Sequence, residues 1–341
     1  MEKVIYTMQD GTELKEFTLK NSNGIVIKIV NYGGIITSIE TPDKDGKSDD
    51  ILLGFDDFES YIENPPYFGA IIGRVTNRIS GSKFVIDGTE YKINSPFKNY
   101  TLHGGTKGFD KKVWDAKPYK IDGESGVELN HLSPDGEEGF PGNLKTRIIY
   151  RLNDQNEFYT EYFATTDKPT HVNLTNHAYF NLSGKENIYD QQVLIVADKI
   201  TETDGDILPT GKLIDVKDTP YDFTKMHAIG DRINETEVGY DHCYVFNKTE
   251  NNLAPAAKVY DPNSGRVMEV FTSYPSIQFY TGNYLEGIKG KRGRVYQNHA
   301  AFCLETQNLP DACNRPDFPS TLLTPDDIYS QVTVLRFGVA Q

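Results

Sequence analysis

Along much of this 341-residue chain, apolar and polar residues alternate with a period of two. Residues 24–30 set Ile25, Ile27 and Ile29 on one face, the mark of a half-buried strand. Asn31-Tyr32-Gly33-Gly34 breaks the pattern, and it resumes over 35–39. Residues 84–93 read as a hairpin, because Asp87-Gly88 is a favoured two-residue turn. A second hairpin is predicted from the runs 144–152 and 157–165. Further strands are expected at 192–197, 243–247, 256–260, 267–272, 276–280, 301–305 and 332–337. Around His177, residues 171–174 and 179–182 read as two short strands, the second closed by the turn signal Ser183-Gly184. One short helix fits 56–62. There Phe58 lies three and four residues from Tyr61 and Ile62, Asp56 or Asp57 can cap the start, and Asn64-Pro65-Pro66 ends it.

No long segment has helical periodicity, and no fixed repeat or linker tract divides the chain. The expected fold is therefore all-β: a large antiparallel β-sandwich with few short helices, formed by residues 1–341 as a single domain. A chain of this length buries about three quarters of the surface its unfolded form exposes, so its core needs no staples.

Composition narrows the function. With 49 acidic and 35 basic residues the net charge is −14. That argues against nucleic acid or an anionic membrane as partner, since both want a basic footprint. No stretch of about 18 apolar residues suggests a transmembrane helix, and the opening MEKVIYTMQDG lacks the apolar core of a signal peptide. Cys243, Cys303 and Cys313 are odd in number and fit no paired zinc spacing. They read as reduced thiols of a cytoplasmic protein.

Five stretches carry polar residues capable of chemistry. Residues 73–79 (GRVTNRI) hold Arg74, Asn77 and Arg78, and residues 101–105 place His103 before a glycine pair. His177 lies within 173–184 (NLTNHAYFNLSG), and Asp241 and His242 stand at a strand start. Glu305 ends an apolar strand. Taken singly each is unremarkable. The arginines read as surface or ion-pair residues, and Gly104-Gly105 lacks the spacing of a phosphate loop. His177 reads as a histidine tied up by asparagines. The histidines are too scattered to demand a metal, and no serine-hydrolase elbow is present. A glycosidase pair of Asp241 and Glu305 finds no other support.

Together, in this order, these stretches resemble the galactose mutarotase (aldose 1-epimerase) family. The likeness extends over residues 101–114, 133–144, 239–246, 264–285 and 303–320, close to the whole chain. Ser276 stands where the family pattern has glycine, and residues 298–301 (NHAA) are atypical. The resemblance implies an isomerase that interconverts the α and β anomers of free hexoses such as galactose and glucose. It requires no cofactor and no metal. Its catalytic residues would be Glu305 as base, His177 as acid and His103 as a group that holds or polarises the ring oxygen. Asn77, Arg78, Asp241 and Gln278 would bind sugar hydroxyls. The partner would be a small-molecule sugar, and the protein a monomer or homodimer. Two alternatives stand beside it: a non-catalytic sugar-binding module, and a hexose-6-phosphate mutarotase with Arg74 or Lys107 as the phosphate cation. Glu305 is expected to be ionised and supplied with donors, and His177 to be protonated, its pKa raised by nearby carboxylates.

Overall fold

The computed structural model describes residues 2–248 and 252–340. Every pairing between its strands is antiparallel, as the alternation predicts. The largest layer is a nine-stranded sheet. Its order is Asp115–Ile121, Glu124–Ser133, Leu144–Asn153, Glu157–Thr166, Tyr329–Val339, Arg266–Thr272, Ala254–Tyr260, Gln192–Ile195 and His227–Ala228. In Leu144–Asn153 the residues Leu144, Thr146, Ile148, Tyr150 and Leu152 point inward and are buried, while Lys145 and Arg147 face solvent. The period-2 pattern thus becomes one dry and one wet face.

Two five-stranded sheets contribute to the opposite side. One orders Glu2–Thr7, Glu13–Lys20, Val26–Val30, Ile35–Pro42 and Ser48–Asp50 in sequence. The other runs Pro209–Asp215, Lys199–Thr203, Asp241–Val245, Ser276–Tyr280 and Cys303–Gln307. Phe17, Ile27, Ile148, Tyr150, Val270, Ile277 and Phe279 share one hydrophobic cluster, so all three sheets face a common core. Each of these large side chains contributes about 1.5–3 kcal/mol on full burial. The sandwich expected from the sequence is present, with its second layer split in two.

The only α-helix among the described residues is Phe58–Glu63. Asp57 caps it by accepting from Ser60 N at 2.8 Å, and Asn64 closes it in the left-handed conformation at φ 34°. The hairpin Lys83–Ile86 and Thr89–Lys92 turns at Asp87-Gly88, both at positive φ as a type I′ turn needs.

Two expectations change. The strand expected at 301–305 is Cys303–Gln307, so Glu305 sits at its centre rather than its end. Of the two strands expected around His177, the one at 171–174 gives way to the short strands Thr170–His171 and Thr175–Asn176, and the one at 179–182 does not form. Beyond His177, Phe180 makes only single bridges, to Leu52 and Phe302. The segment threads between sheets instead of joining one, and its polar backbone groups find partners one at a time.

Candidate active site

Three neighbouring strands build one wall of a pocket. Cys243, Gln278 and Glu305 are paired across Asp241–Val245, Ser276–Tyr280 and Cys303–Gln307; one row along, Asp241, Tyr280 and Cys303 are paired. Directly paired residues share a face, and so do residues two apart on a strand. One sheet face therefore presents Asp241, Gln278 and Glu305 together. On the other face Phe279 packs against Tyr240 and Phe223, with ring centroids 5.4 and 5.3 Å away, and fixes the sheet from behind.

The second wall comes from the GRVTNRI and LHGG stretches. Arg78–Ser80 pairs with Tyr100–Leu102, bringing Arg78 beside His103. Asn77 N donates to His103 Nδ1 at 3.3 Å, and His103 N donates to Asn77 O at 3.1 Å. Gly104 is demanded here. It sits at φ 88°, and a Cβ on it would lie 1.8 Å from the Gly73 carbonyl oxygen. Asn77 takes φ 63°, a conformation asparagine tolerates better than most residues.

His177 forms the third side. Its N–H donates to Ala70 O and its carbonyl accepts from Gly69 N, both at 2.9 Å. Its ring stacks between Tyr67 and Tyr179, with centroids 6.0 and 5.0 Å away and planes 17° and 10° apart. The His103 ring meets it edge-on at 5.2 Å.

These walls enclose a cavity of ≈ 260 Å³. All seven residues singled out from the sequence line it: Asn77, Arg78, His103, His177, Asp241, Gln278 and Glu305. Four of them close a ring of polar contacts. Arg78 N donates to Asn77 Oδ1 at 2.8 Å, and Asn77 Nδ2 donates to Gln278 Oε1 at 3.3 Å. Gln278 Nε2 then donates to Asp241 Oδ1 at 2.7 Å, and Asp241 Oδ2 lies 4.0 Å from the Arg78 guanidinium. Each side chain is thereby oriented before a ligand arrives. Arg78 also lies over the Tyr100 ring, 5.5 Å from its centroid.

Glu305 and His177 face each other across 3.6 Å, from Oε1 to Nε2, and both are buried. The expected charges do not survive this burial. Desolvation, reinforced by the Asp241 charge and opposed by Arg78, holds the Glu305 carboxyl well above the usual carboxylate range. Its Oε2 has no hydrogen-bond partner, so the expected donors are missing. Desolvation pulls His177 down to about 3, and no carboxylate offsets it. In the sugar-free site burial thus favours the neutral forms of both groups, a protonated carboxyl beside an unprotonated imidazole. Burial, helped by the Arg78 charge, also holds His103 well below the ordinary histidine range. As a neutral ring accepting at Nδ1, it carries its proton on Nε2 and can donate from there.

Neither phosphate cation from the sequence reaches the pocket lining. Arg74 is fully buried and donates to Ser133 Oγ, Ser133 O, Pro134 O and Pro141 O, at 2.8–2.9 Å. It ties down the 133–144 loop. Lys107 is exposed. Ser276, where glycine was expected, donates to Gln307 O at 2.7 Å within the sheet. In the atypical 298–301 stretch, Asn298 Oδ1 accepts from Leu285 N and Glu286 N, so it shapes the segment carrying the rim residues Tyr284 and Leu285.

His177, Cys303 and Glu305 offer ligand atoms within 4.8 Å of one another. The thiol faces Nδ1 and the carboxylate faces Nε2. Sequence reasoning missed this thiol, although Cys303 lies two positions before Glu305 on a strand and must share its face. It also missed Tyr67 and Tyr179, whose flanking of His177 has no local signature.

The chain resembles known proteins over nearly its whole length. A family model described as aldose 1-epimerase matches residues 15–336. The galactose mutarotase of Bos taurus is 44% identical over 331 residues, covering 96% of this chain and 95% of the relative. The aldose 1-epimerase of Escherichia coli K12 is 33% identical, covering 96% of each. Among solved structures, an aldose epimerase homologue from C. elegans superposes with a TM-score of 0.90 at 30% identity, covering 96% of this chain and 99% of that one.

Proposed function

This chain belongs to the aldose 1-epimerase family and interconverts the anomers of a sugar, and we propose that Glu305 and His177 carry the proton transfers. Glu305 takes the proton of the C1 hydroxyl while His177 gives one to the ring oxygen, and the C1–O5 bond opens. Rotation about C1–C2 presents the other face of the aldehyde. Closure runs the transfers backward, with Glu305 as acid and His177 as base. His103 Nε2–H supports the ring oxygen. Arg78, Asn77, Gln278 and Asp241 hold the remaining hydroxyls, the first as donor, the last as acceptor and the two amides as either.

The observation that carries the reading is the buried carboxyl–imidazole pair, 3.6 Å apart on the wall of a polar pocket. Its electrostatics favour the chemistry. Ring opening converts Glu305⁻ and His177⁺ into a neutral pair, and burial favours neutral forms of both groups. The protonation state of the open-chain intermediate is the one the sugar-free site prefers. Hydroxyl donors on the bound ring assemble the charged pair, with the proton moving from Oε1 to Nε2. Such acid–base help is worth about 10²–10⁴-fold.

The substrates proposed are free hexoses such as galactose and glucose. The cavity is smaller than the about 300–1,000 Å³ of drug-sized ligand sites and suits one sugar ring. The placement of Arg74 and Lys107 weighs against a sugar phosphate. The three free cysteines support a cytoplasmic setting. Polarimetry of freshly dissolved α-D-galactose tests the proposal. The first-order relaxation rate is expected to rise linearly with protein concentration above the buffer rate. A rate that stays at the buffer value overturns it.

A further inference from the structure

The two ring nitrogens of His177 face different partners. Nε2 meets Glu305 Oε1 at 3.6 Å, and Nδ1 meets Cys303 Sγ at 3.5 Å. Cys303 is fully buried and does not line the cavity; two positions before Glu305 on the same strand, it meets the ring beside the carboxylate. We propose that Cys303 is a positioning residue for anomer exchange: its thiol holds the Nδ1 edge of His177 and reserves Nε2 for proton exchange with the sugar and Glu305. The inference rests on the reading of His177 as the acid.

The chemistry of the partner matters as much as its place. When His177 is charged, both nitrogens carry protons and Nδ1–H needs an acceptor. After Nε2 gives up its proton, Nδ1–H remains and still needs one. A carboxylate there would satisfy it but would stabilise the imidazolium and weaken it as an acid. Thiol sulfur is a weak acceptor, so it fixes the ring while leaving the imidazolium acidic enough to protonate a sugar ring oxygen. Burial, with the nearby charge of Asp241, holds the thiol well above the usual cysteine range and keeps it neutral.

The other groups around the ring do not serve this edge. Tyr67 and Tyr179 cover its faces, Tyr280 approaches edge-on at 6.4 Å, and His103 lies at 5.2 Å. Glu305 is at Nε2, and Arg78 and Asp241 belong to the other walls.

The test compares Cys303→Ala and Cys303→Ser with the wild type. It uses anomer-exchange kinetics against pH and ¹⁵N spectra of protein labelled at histidine. Cys303→Ala is expected to lower kcat about fivefold or more, the size of one neutral hydrogen bond. KM should stay within about twofold, and the His177 ring signals should shift from one tautomer to a mixture. Cys303→Ser, whose hydroxyl is a better acceptor, should keep the single tautomer and move the acidic limb of the kcat profile to higher pH. If Cys303→Ala keeps wild-type kcat, pH profile and ring signals, the proposal is overturned. If that variant does not fold, Cys303→Ser decides: an unmoved acidic limb with unchanged ring signals overturns it. Near-normal activity in His177→Asn would instead overturn the assignment of the acid itself.

Discussion

Replacing Glu305 with glutamine separates its chemistry from its packing. The amide keeps the shape of the side chain but cannot take the C1 hydroxyl proton. Losing that transfer removes about 10²–10⁴-fold of rate, or about 2.7–5.5 kcal/mol of barrier lowering. KM should move much less, because Asn77, Arg78, Asp241 and Gln278 keep their contacts. Stability supplies an independent reading of the same side chain. Glu305 is 3% exposed, and its pKa is raised in the folded protein. The unfolded chain ionises near 4.3 while the folded carboxyl keeps its proton. Its stabilising share is therefore complete below about pH 4 and is lost as pH rises, at about 1.4 kcal/mol per unit, until the folded group ionises. For 341 residues that is about 2 °C of Tm per pH unit. Glutamine has no such slope, and the contribution of His177 is common to both proteins. Thermal melts of the two proteins from pH 4.5 to 7, beside polarimetry, give the comparison. The Tm advantage of Glu305→Gln should grow with pH while its kcat collapses. A Tm difference flat with pH would refute the raised carboxyl, and a kcat within about threefold of wild type would refute the base.

Other consequences can be checked one by one. Burial draws His177 down to about 3 and lifts Glu305, so the sugar-free pair favours a protonated carboxyl beside a neutral imidazole. The kcat/KM profile should pass flat through pH 6.5, falling only where a second proton is added at the acidic end or the shared one is lost at the basic end; a limb centred near 6.5 would show that His177 titrates as an ordinary histidine. Arg74→Met leaves the carbonyls of Ser133, Pro134 and Pro141 without their donor. It should cost roughly 3 kcal/mol or more in denaturant unfolding, with kcat of the folded enzyme near wild type. Unchanged stability would remove its structural role. Asp241→Asn withdraws a charge that lifts Glu305 and disturbs the acceptor of Gln278 Nε2. KM for galactose should rise more than kcat falls, by roughly tenfold, and an unchanged KM would exclude Asp241 from sugar binding.

The sequence was most readable where the fold is most regular. The hairpin at 144–152 and 157–165 became Leu144–Asn153 and Glu157–Thr166, since strict alternation there reflects one dry and one wet face. Asp115–Ile121 went unseen because it is an edge strand with no buried residue to print a pattern. Glu124–Ser133, its neighbour, alternates too weakly beside its glycine and serine to stand out. The pocket residues were legible through the family resemblance, and all seven meet around one cavity. Their charge states were not. A sequence places a carboxylate and a histidine near each other without saying how little water reaches them. Here desolvation outweighs their mutual attraction. Arg74 shows the same limit in reverse: an arginine beside glycine invites a ligand, yet its guanidinium is consumed by three carbonyls and a hydroxyl.

The central claim is that Glu305 and His177 work as one proton-exchanging pair. Anomeric exchange rates of galactose, followed by NMR magnetisation transfer in Glu305→Gln, His177→Asn and the double variant, test it most directly. If the two act as a unit, the double variant should be about as slow as the slower single variant, since either loss already disables the exchange. Losses that multiply, each variant lowering the rate independently of the other, would contradict the account.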